Sequence, residues 1–254
     1  MPPVTLADDL AYAVSVPRAP RRVVSLVPSI TEALATSCRE RLVGATDWCT
    51  HPSDLAVQRV RGTKNPDLKA IAALRPDLVV ANKEENRELD VRRLRAEGIP
   101  VWVTDIETVP GALDSLGRLF AEVLDLGTPE WLAAARNEWD RPVPEPSLDV
   151  AVAIWRDPWM AVGRDTFTGD LVARLGWRNV LADHADRYPH VDVTDLDRDG
   201  LVVLLPDEPY VFTADDGPEA FVHARTALVS GRLLTWYGPS LVGAAAALTA
   251  AVPA

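Results

Sequence analysis

Five short stretches concentrate side chains able to bind or react. Asp47-Trp48-Cys49-Thr50-His51 places a thiol and an imidazole two residues apart in a loop. Such a pair can cap a soft metal centre axially. It can also act as nucleophile and base, with Asp47 to orient His51. The competing reading is a buried cysteine beside a surface histidine. A closed metal cage needs three or four ligands, and only His190 and Asp192 from the distant half could complete one, so no dedicated metal site is expected. Asn82-Lys83-Glu84-Glu85-Asn86 could clamp the polar edge of a ligand, or simply start a helix with its acids near the positive dipole end. Trp155-Arg156-Asp157-Pro158-Trp159, Asp207-Glu208-Pro209-Tyr210 and Trp236-Tyr237 combine aromatic rings with charged groups, and Arg164 and Tyr188 lie in further loops. Rings in loops suit pocket walls, whereas Trp102, Trp131, Trp139 and Trp177 sit inside apolar elements and read as core. No oxyanion-hole motif or phosphate-binding loop accompanies these groups, so a binding protein outranks an enzyme built on Cys49 and His51.

Positioning these loops requires strands that end where they begin. Val4 to Val16 alternates as a hairpin or arm. Val23–Val27, Leu42–Thr46, Leu78–Ala81 and Val101–Val103 are β-branched runs separated by helical stretches, the alternation of a parallel sheet. Ser29 with Glu32 forms a capping box for the first helix, Asn65-Pro66 heads the next, and Gly98 ends the third. From Pro110 to Gly127 apolar residues recur at helical spacing with no strand after them. A second helix carries Trp131 and Trp139, and Arg141-Pro-Val-Pro-Glu-Pro146 connects onward. Strands resume at Val150–Trp155, Met160–Val162, Leu201–Leu205 and Leu233–Trp236, with helices at Thr168–Leu175, Pro218–Arg225 and Pro239–Val252. The expected domains are residues 1–108 as an α/β lobe, 109–147 as backbone helix and connector, and 148–254 as a second α/β lobe.

The chain has 254 residues, 25% of them charged and 48% hydrophobic, a globular balance. Its net charge of −11 repels phosphate backbones, which argues against general nucleic-acid binding. Two cysteines make no disulfide framework. No apolar run approaches the ~20 residues that span a bilayer. The first residues, with Asp8 and Asp9 and no basic or apolar core, do not read as an export leader. The expected location is therefore cytoplasmic, or extracytoplasmic if a leader has been removed.

Arg22-Val-Val-Ser-Leu-Val-Pro-Ser-Ile-Thr-Glu32 resembles the opening of the helical-backbone metal-receptor superfamily, the substrate-binding proteins of ABC importers for cobalamin, haem and iron siderophores. Leu42-Val-Gly-Ala-Thr-Asp-Trp48, Asn65-Pro-Asp-Leu-Lys-Ala-Ile71, Leu74-Arg-Pro-Asp-Leu-Val-Val80 and Leu94-Arg-Ala-Glu-Gly-Ile-Pro100 follow in that family's order. Val162-Gly-Arg-Asp-Thr-Phe167, Leu171-Val-Ala-Arg-Leu-Gly176 and Tyr188-Pro-His-Val191 extend the likeness through the second half. The resemblance implies two Rossmann-like α/β lobes on one long helix, a ligand cleft between them, and a periplasmic-binding-protein-like, non-catalytic transport role. The cobalamin binders are the nearest look-alikes, so the expected ligand is cobalamin or a related corrinoid, with haem or an iron siderophore as alternatives and no tightly bound cofactor.

A corrin is broad and flat with a fringe of amides. Trp48, Trp155, Trp159, Tyr188 and Trp236 could wall its faces, and Asn82, Arg156, Arg164 and Glu208 its edges, with Lys83 as a clamp. The resemblance places Trp48 and Tyr188 at ligand-contact aromatics, and puts Thr63 and Asn82 where two more aromatics stand in those proteins. His51 or Cys49 could be an axial ligand. A permease is a possible partner, but the docking acid of the first lobe is replaced by Lys69, and that of the second falls at Thr194, beside Asp195. A monomer is expected.

Overall fold

The computed structural model describes residues 3–252. Cα packing divides the chain into two units. The first comprises the residues through Ile106, Ala112–Ala133 and Tyr237–Pro239, and the second Glu107–Gly111, Ala134–Trp236 and Ser240 onward.

The first unit begins with a hairpin, β1 (Val4–Ala7) and β2 (Ala13–Val16). β3 (Val23–Ser25) follows, then α1 (Pro28–Cys38) and β4 (Leu42–Ala45). β5 (Gln58–Arg59) precedes a small hairpin of β6 (Arg61–Gly62) and β7 (Asn65–Pro66). Next come α2 (Leu68–Ala73), β8 (Leu78–Asn82), α3 (Glu88–Ala96) and β9 (Val101–Thr104). The main sheet runs β5-β4-β3-β8-β9, and every pair in it is parallel. In order along the chain these strands are third, second, first, fourth and fifth, so the winding reverses between β3 and β8. Ligands of open α/β sheets gather beyond the carboxyl ends of the strands near such a reversal. Val24, Val79 and Val101 on the strands pack with Ile71 and Leu94 on the helices as the core.

Two helix starts differ from expectation. Pro28 occupies the first turn of α1 and its fixed φ already suits the helix, so the helix begins two residues before the expected start at Ile30 and Ser29 is not its cap. Asn65-Pro66 forms β7, and the cap of α2 is Asp67, whose carboxylate accepts the Ala70 N–H at 3.0 Å.

α4 (Val109–Arg118) continues into one wide helical turn, Leu119–Val123. α5 (Glu130–Trp139) follows. The second unit's sheet is built on the eight-residue β10 (Leu148–Trp155), flanked by the antiparallel β11 (Met160–Ala161) and the parallel β12 (Trp177–Asn179). α6 (Phe167–Arg174) precedes β12 and is capped by Thr166. α7 (Val193–Leu196), β13 (Leu201–Pro206) and β14 (Arg225–Val229) complete the sheet order β11-β10-β13-β14. The last strand lies elsewhere than expected. Arg225–Val229 is the edge strand, and its mixed burial hides it from an apolar-run search. Leu233–Trp236 was the expected strand, but α8 (Gly231–Thr235) starts there behind the Ser230 cap, and Trp236 follows it. α9 (Ala244–Ala251) closes the chain.

Candidate functional site

The loop after β4 is wound around one guanidinium. Arg59 donates to the Thr46 and Cys49 carbonyls, both at 2.9 Å, and to the Leu55 carbonyl at 3.2 Å. Asp47 N–H donates to the Arg61 carbonyl at 2.8 Å, which ties the loop to the β6–β7 hairpin. On this fixed backbone Trp48 is 66% exposed. Its indole lies over Gly62: a Cβ there would come within 3.3 Å of Trp48 Nε1 and 2.4 Å of Asn65 Oδ1. A large ring held open to solvent on a tied loop is a ready stacking surface.

Cys49 points the other way and is fully buried. Its Sγ accepts from Thr31 Oγ1 at 3.0 Å and shares a 3.1 Å hydrogen bond with Thr46 Oγ1. Burial pushes its pKa up, against the hydrogen bonds, so it remains a thiol. Both the axial-ligand and nucleophile roles for Cys49 are corrected: a neutral core sulfur offers neither. His51 is half-buried, with Nδ1 hydrogen-bonded to Thr50 Oγ1 at 3.1 Å.

The loop after β8 is organised by Asn82, which is buried. Its Oδ1 accepts the Glu84 N–H at 2.8 Å and the Glu85 N–H at 3.2 Å, and its Nδ2 donates to Thr104 Oγ1 at 3.1 Å. Its amide is spent inside the protein, which corrects its assignment to a ligand edge. Asn86 Nδ2 bridges to the Leu26 carbonyl at 3.3 Å and the Thr63 carbonyl at 3.0 Å. Lys64 Nζ donates to the Glu84 carbonyl. These bonds unite the loops after β3 and β8 with the hairpin beneath Trp48. Lys83 is half-exposed and paired with Asp105 at 2.7 Å.

In the sequence Tyr237 and Glu85 stand out only as members of their loops, with no link between them. The Tyr237 phenol is buried beside the β3–β8 reversal and donates to Glu85 Oε1 at 3.0 Å. Burial, followed by the Glu85 charge, pushes its pKa well above the ordinary value, so it stays a donor. Gly238 comes so close that a Cβ would sit 3.0 Å from the Ser29 carbonyl oxygen. The Tyr237–Pro239 strap thus occupies the crevice where sheets of this winding bind ligands. Only the pairing of Trp-Tyr-Gly with a final apolar helix hints at it in the sequence.

In the second unit Trp155, 44% exposed, ends β10 and meets Tyr210 edge-on, with ring centroids 5.4 Å apart. Tyr210 OH donates to Asp216 Oδ2 at 2.7 Å. Arg156 is bound by Asp216 and by Glu219, the latter at 2.6 Å. Hydrogen bonding from Arg156 holds the Glu219 carboxyl below its usual range. Arg156 therefore braces the turn, and its guanidinium is already spent on two carboxylates. Trp159 stacks on Phe212 at 5.7 Å and packs against the core of Ala151, Val203 and Leu205. Trp236 is buried with the Arg232 guanidinium over its ring. Both were expected as ligand walls, and both are corrected to packing residues. Glu208 is half-buried and crowds Gly231, where a Cβ would fall 2.8 Å from the Glu208 carbonyl oxygen. Arg164 and Tyr188 are exposed. Tyr188 follows Arg187, whose carbonyl accepts the Gly163 N–H at 2.7 Å.

Among the described residues no group of three or more His, Cys, Asp or Glu side chains could hold a metal ion, and no helix is long and apolar enough to cross a membrane. The exposed candidates are thus Trp48 and Lys83 in the first unit, and Trp155, Arg164 and Tyr188 in the second.

No family model matches the chain. The curated vitamin B12-binding protein of Pectobacterium atrosepticum is 26% identical over 196 residues, covering 71% of this chain and 67% of that protein. The ABC transporter substrate-binding lipoprotein YvrC of Bacillus subtilis is 25% identical over 258 residues, covering 94% of this chain and 82% of that protein. The periplasmic vitamin B12 binding protein BtuF of Vibrio cholerae superposes with a TM-score of 0.70 at 17% identity, covering 91% of this chain and 95% of that one. A periplasmic heme binding protein from Pseudomonas aeruginosa gives 0.69 at 20% identity, covering 92% and 95%. The two α/β units with their parallel sheets share the fold of these solved binding proteins. In sequence the chain is thus similar to a vitamin B12-binding protein and to an ABC transporter substrate-binding lipoprotein. The expectation of a cytoplasmic location is overturned: the relatives are a lipoprotein and periplasmic binding proteins. That expectation rested on the composition of the first residues alone.

Proposed function

We propose that the chain is the extracytoplasmic binding protein of an ABC importer and that its cargo is cobalamin or a related corrinoid. The observation that carries this reading is Trp48, two-thirds exposed on a loop locked by Arg59 and seated on Gly62. A macrocycle face stacked on such a ring gains on the order of 1–3 kcal/mol without ordering any backbone. In the second unit, taken by itself, Trp155 and Tyr188 are exposed rings and Arg164 an exposed cation. The relatives named for vitamin B12 support the same cargo. Thr63 stands where the resemblance calls for another ring, so the expected affinity is nearer micromolar than nanomolar, a difference of about 4 kcal/mol. His51, half-buried three residues after Trp48 in the same loop, is the remaining candidate for axial contact with a cobalt centre.

Haem is a second reading, favoured by the heme-binding protein of the same fold. The importer's permease is the expected partner. Lys69 is exposed on α2, as are Thr194 and Asp195 on α7, the positions at which docking acids are expected. Equilibrium dialysis against cyanocobalamin, hydroxocobalamin, haemin and a ferric siderophore tests the cargo through the absorbance retained. Retention of both cobalamins is expected. Retention of haemin alone would replace the corrinoid by haem, and retention of none would overturn the reading.

A further inference from the structure

A groove of about 980 Å3 lies between α3 and the turn of the β1–β2 hairpin. Neither Trp48 nor His51 lines it, although Asn82 and Lys83 border one end. Three large apolar side chains stand half-exposed on its walls: Leu10 at 44%, Tyr12 at 48% and Leu89 at 52%.

The hairpin turn is built to present the first two. Asp8 Oδ1 accepts the N–H groups of Leu10 at 3.0 Å and Tyr12 at 2.9 Å. Asp8 Oδ2 is held by Arg95 at 2.7 Å and by the Val103 N–H at 3.3 Å. The Arg95 guanidinium also lies 3.6 Å over the Tyr12 ring. This wall is fixed in place before anything binds, which lowers the ordering cost of association.

The opposite wall supplies charge. Glu88, Arg92 and Ala96 recur four residues apart on α3 and share one face. The Arg92 guanidinium has no hydrogen bond or ion pair with any described residue. Arg93 makes only a 3.6 Å contact with Asp90. Lys83, at the end of the groove, is taken by Asp105. In a chain of net charge −11 an open cation beside half-exposed apolar side chains selects for an anion with an apolar body. Glu88 sits one turn ahead of Arg92 and opposes a second negative charge. The size speaks against a protein: thirteen residues line the groove, fewer than the roughly 20–30 per side of a stable protein interface. Its volume lies within the range of about 300–1,000 Å3 typical of small-molecule sites.

We propose that this groove binds an amphiphilic monocarboxylate, its carboxylate on Arg92 and its apolar body across Leu10, Tyr12 and Leu89. A carboxylate meets a guanidinium through two parallel hydrogen bonds, so Arg92 is the selective contact and the apolar wall provides the burial.

The test is calorimetric titration of the full chain with decanoate, below its micelle-forming concentration, and with decanol. Decanoate is expected to bind one to one, about tenfold or more tighter than decanol. Arg92→Gln and Leu89→Asn, both at exposed positions, should each weaken decanoate about tenfold or more while leaving the thermal midpoint unchanged. Glu88→Gln should tighten it. Absence of decanoate binding overturns the proposal. So does equal affinity for decanol, which would be charge-blind adsorption, and so does binding that Arg92→Gln and Leu89→Asn leave unaltered, which would lie elsewhere on the chain.

Discussion

The loop after β4 and the turn after β10 both bring a tryptophan to the carboxyl end of a parallel strand, but different forces hold the two rings. Trp48 rests on a glycine, and its loop is tied by backbone carbonyls gathered around Arg59. Trp155 leans on Tyr210, which leans on Asp216, which shares Arg156 with Glu219. No carboxylate takes part in the ties around Arg59, whereas the contacts behind Trp155 run through the Tyr210 ring into a cluster of ionised side chains. The first is a fixed platform. The second depends on charges that acid can neutralise and salt can screen. A third tryptophan, Trp236, shows that following a regular element is not enough for a ligand role, because its ring is buried.

The largest expected effect separates Trp236 from Trp48. Trp236→Ala removes a buried ring and should cost about 3–5 kcal/mol of stability in urea unfolding. Trp48→Ala, two-thirds exposed, should stay within about 0.5 kcal/mol of the parent. Equal losses would erase the distinction between packing ring and platform.

Tyr237→Phe comes next. It deletes the phenol that donates to Glu85 and should cost about 1 kcal/mol, more if the carboxylate is left buried without another donor. The loop after β8 should loosen with it, read as faster amide hydrogen exchange at Glu84 and Glu85. Unchanged exchange there would mean that Asn82 alone holds the loop.

The smallest effect is local and depends on pH. Glu219 is held below its ordinary pKa by Arg156, so its contribution is present above the unfolded value of about 4.3 and is lost as pH falls through the folded value. Between pH 5 and pH 3 the 19F resonance of 5-fluorotryptophan at position 155 should shift and broaden before that at position 48. The two are assigned by Trp→Phe variants. Simultaneous change would indicate global unfolding and break the comparison.

The sequence made the first unit's sheet legible because Val23, Leu42, Leu78 and Val101 open short apolar runs, each followed by a polar loop. The same rule failed at Arg225–Val229, an edge strand with two exposed residues. It failed again at Leu233–Trp236, where two leucines mimic a strand and the Ser230 cap decides for helix. For the candidate site, loop position picked out Trp48 and Trp155, whose rings are exposed. It could not separate them from Trp159 and Trp236, because burial depends on partners distant in sequence, such as Phe212 and Phe221 around Trp159. Cys49 and His51 are neighbours in the chain, yet only tertiary packing around Thr31 and Thr46 turns the sulfur inward. The link between Tyr237 and Glu85 was hidden because the two lie 152 residues apart.

The central claim is that a platform at Trp48 receives a corrinoid. Titration calorimetry of cyanocobalamin into the parent protein and into Trp48→Ala tests it most directly. The account predicts one-to-one binding near micromolar for the parent and a loss of about tenfold or more in the variant, at unchanged thermal midpoint. Identical affinities for the two proteins, or no binding by the parent, would contradict it.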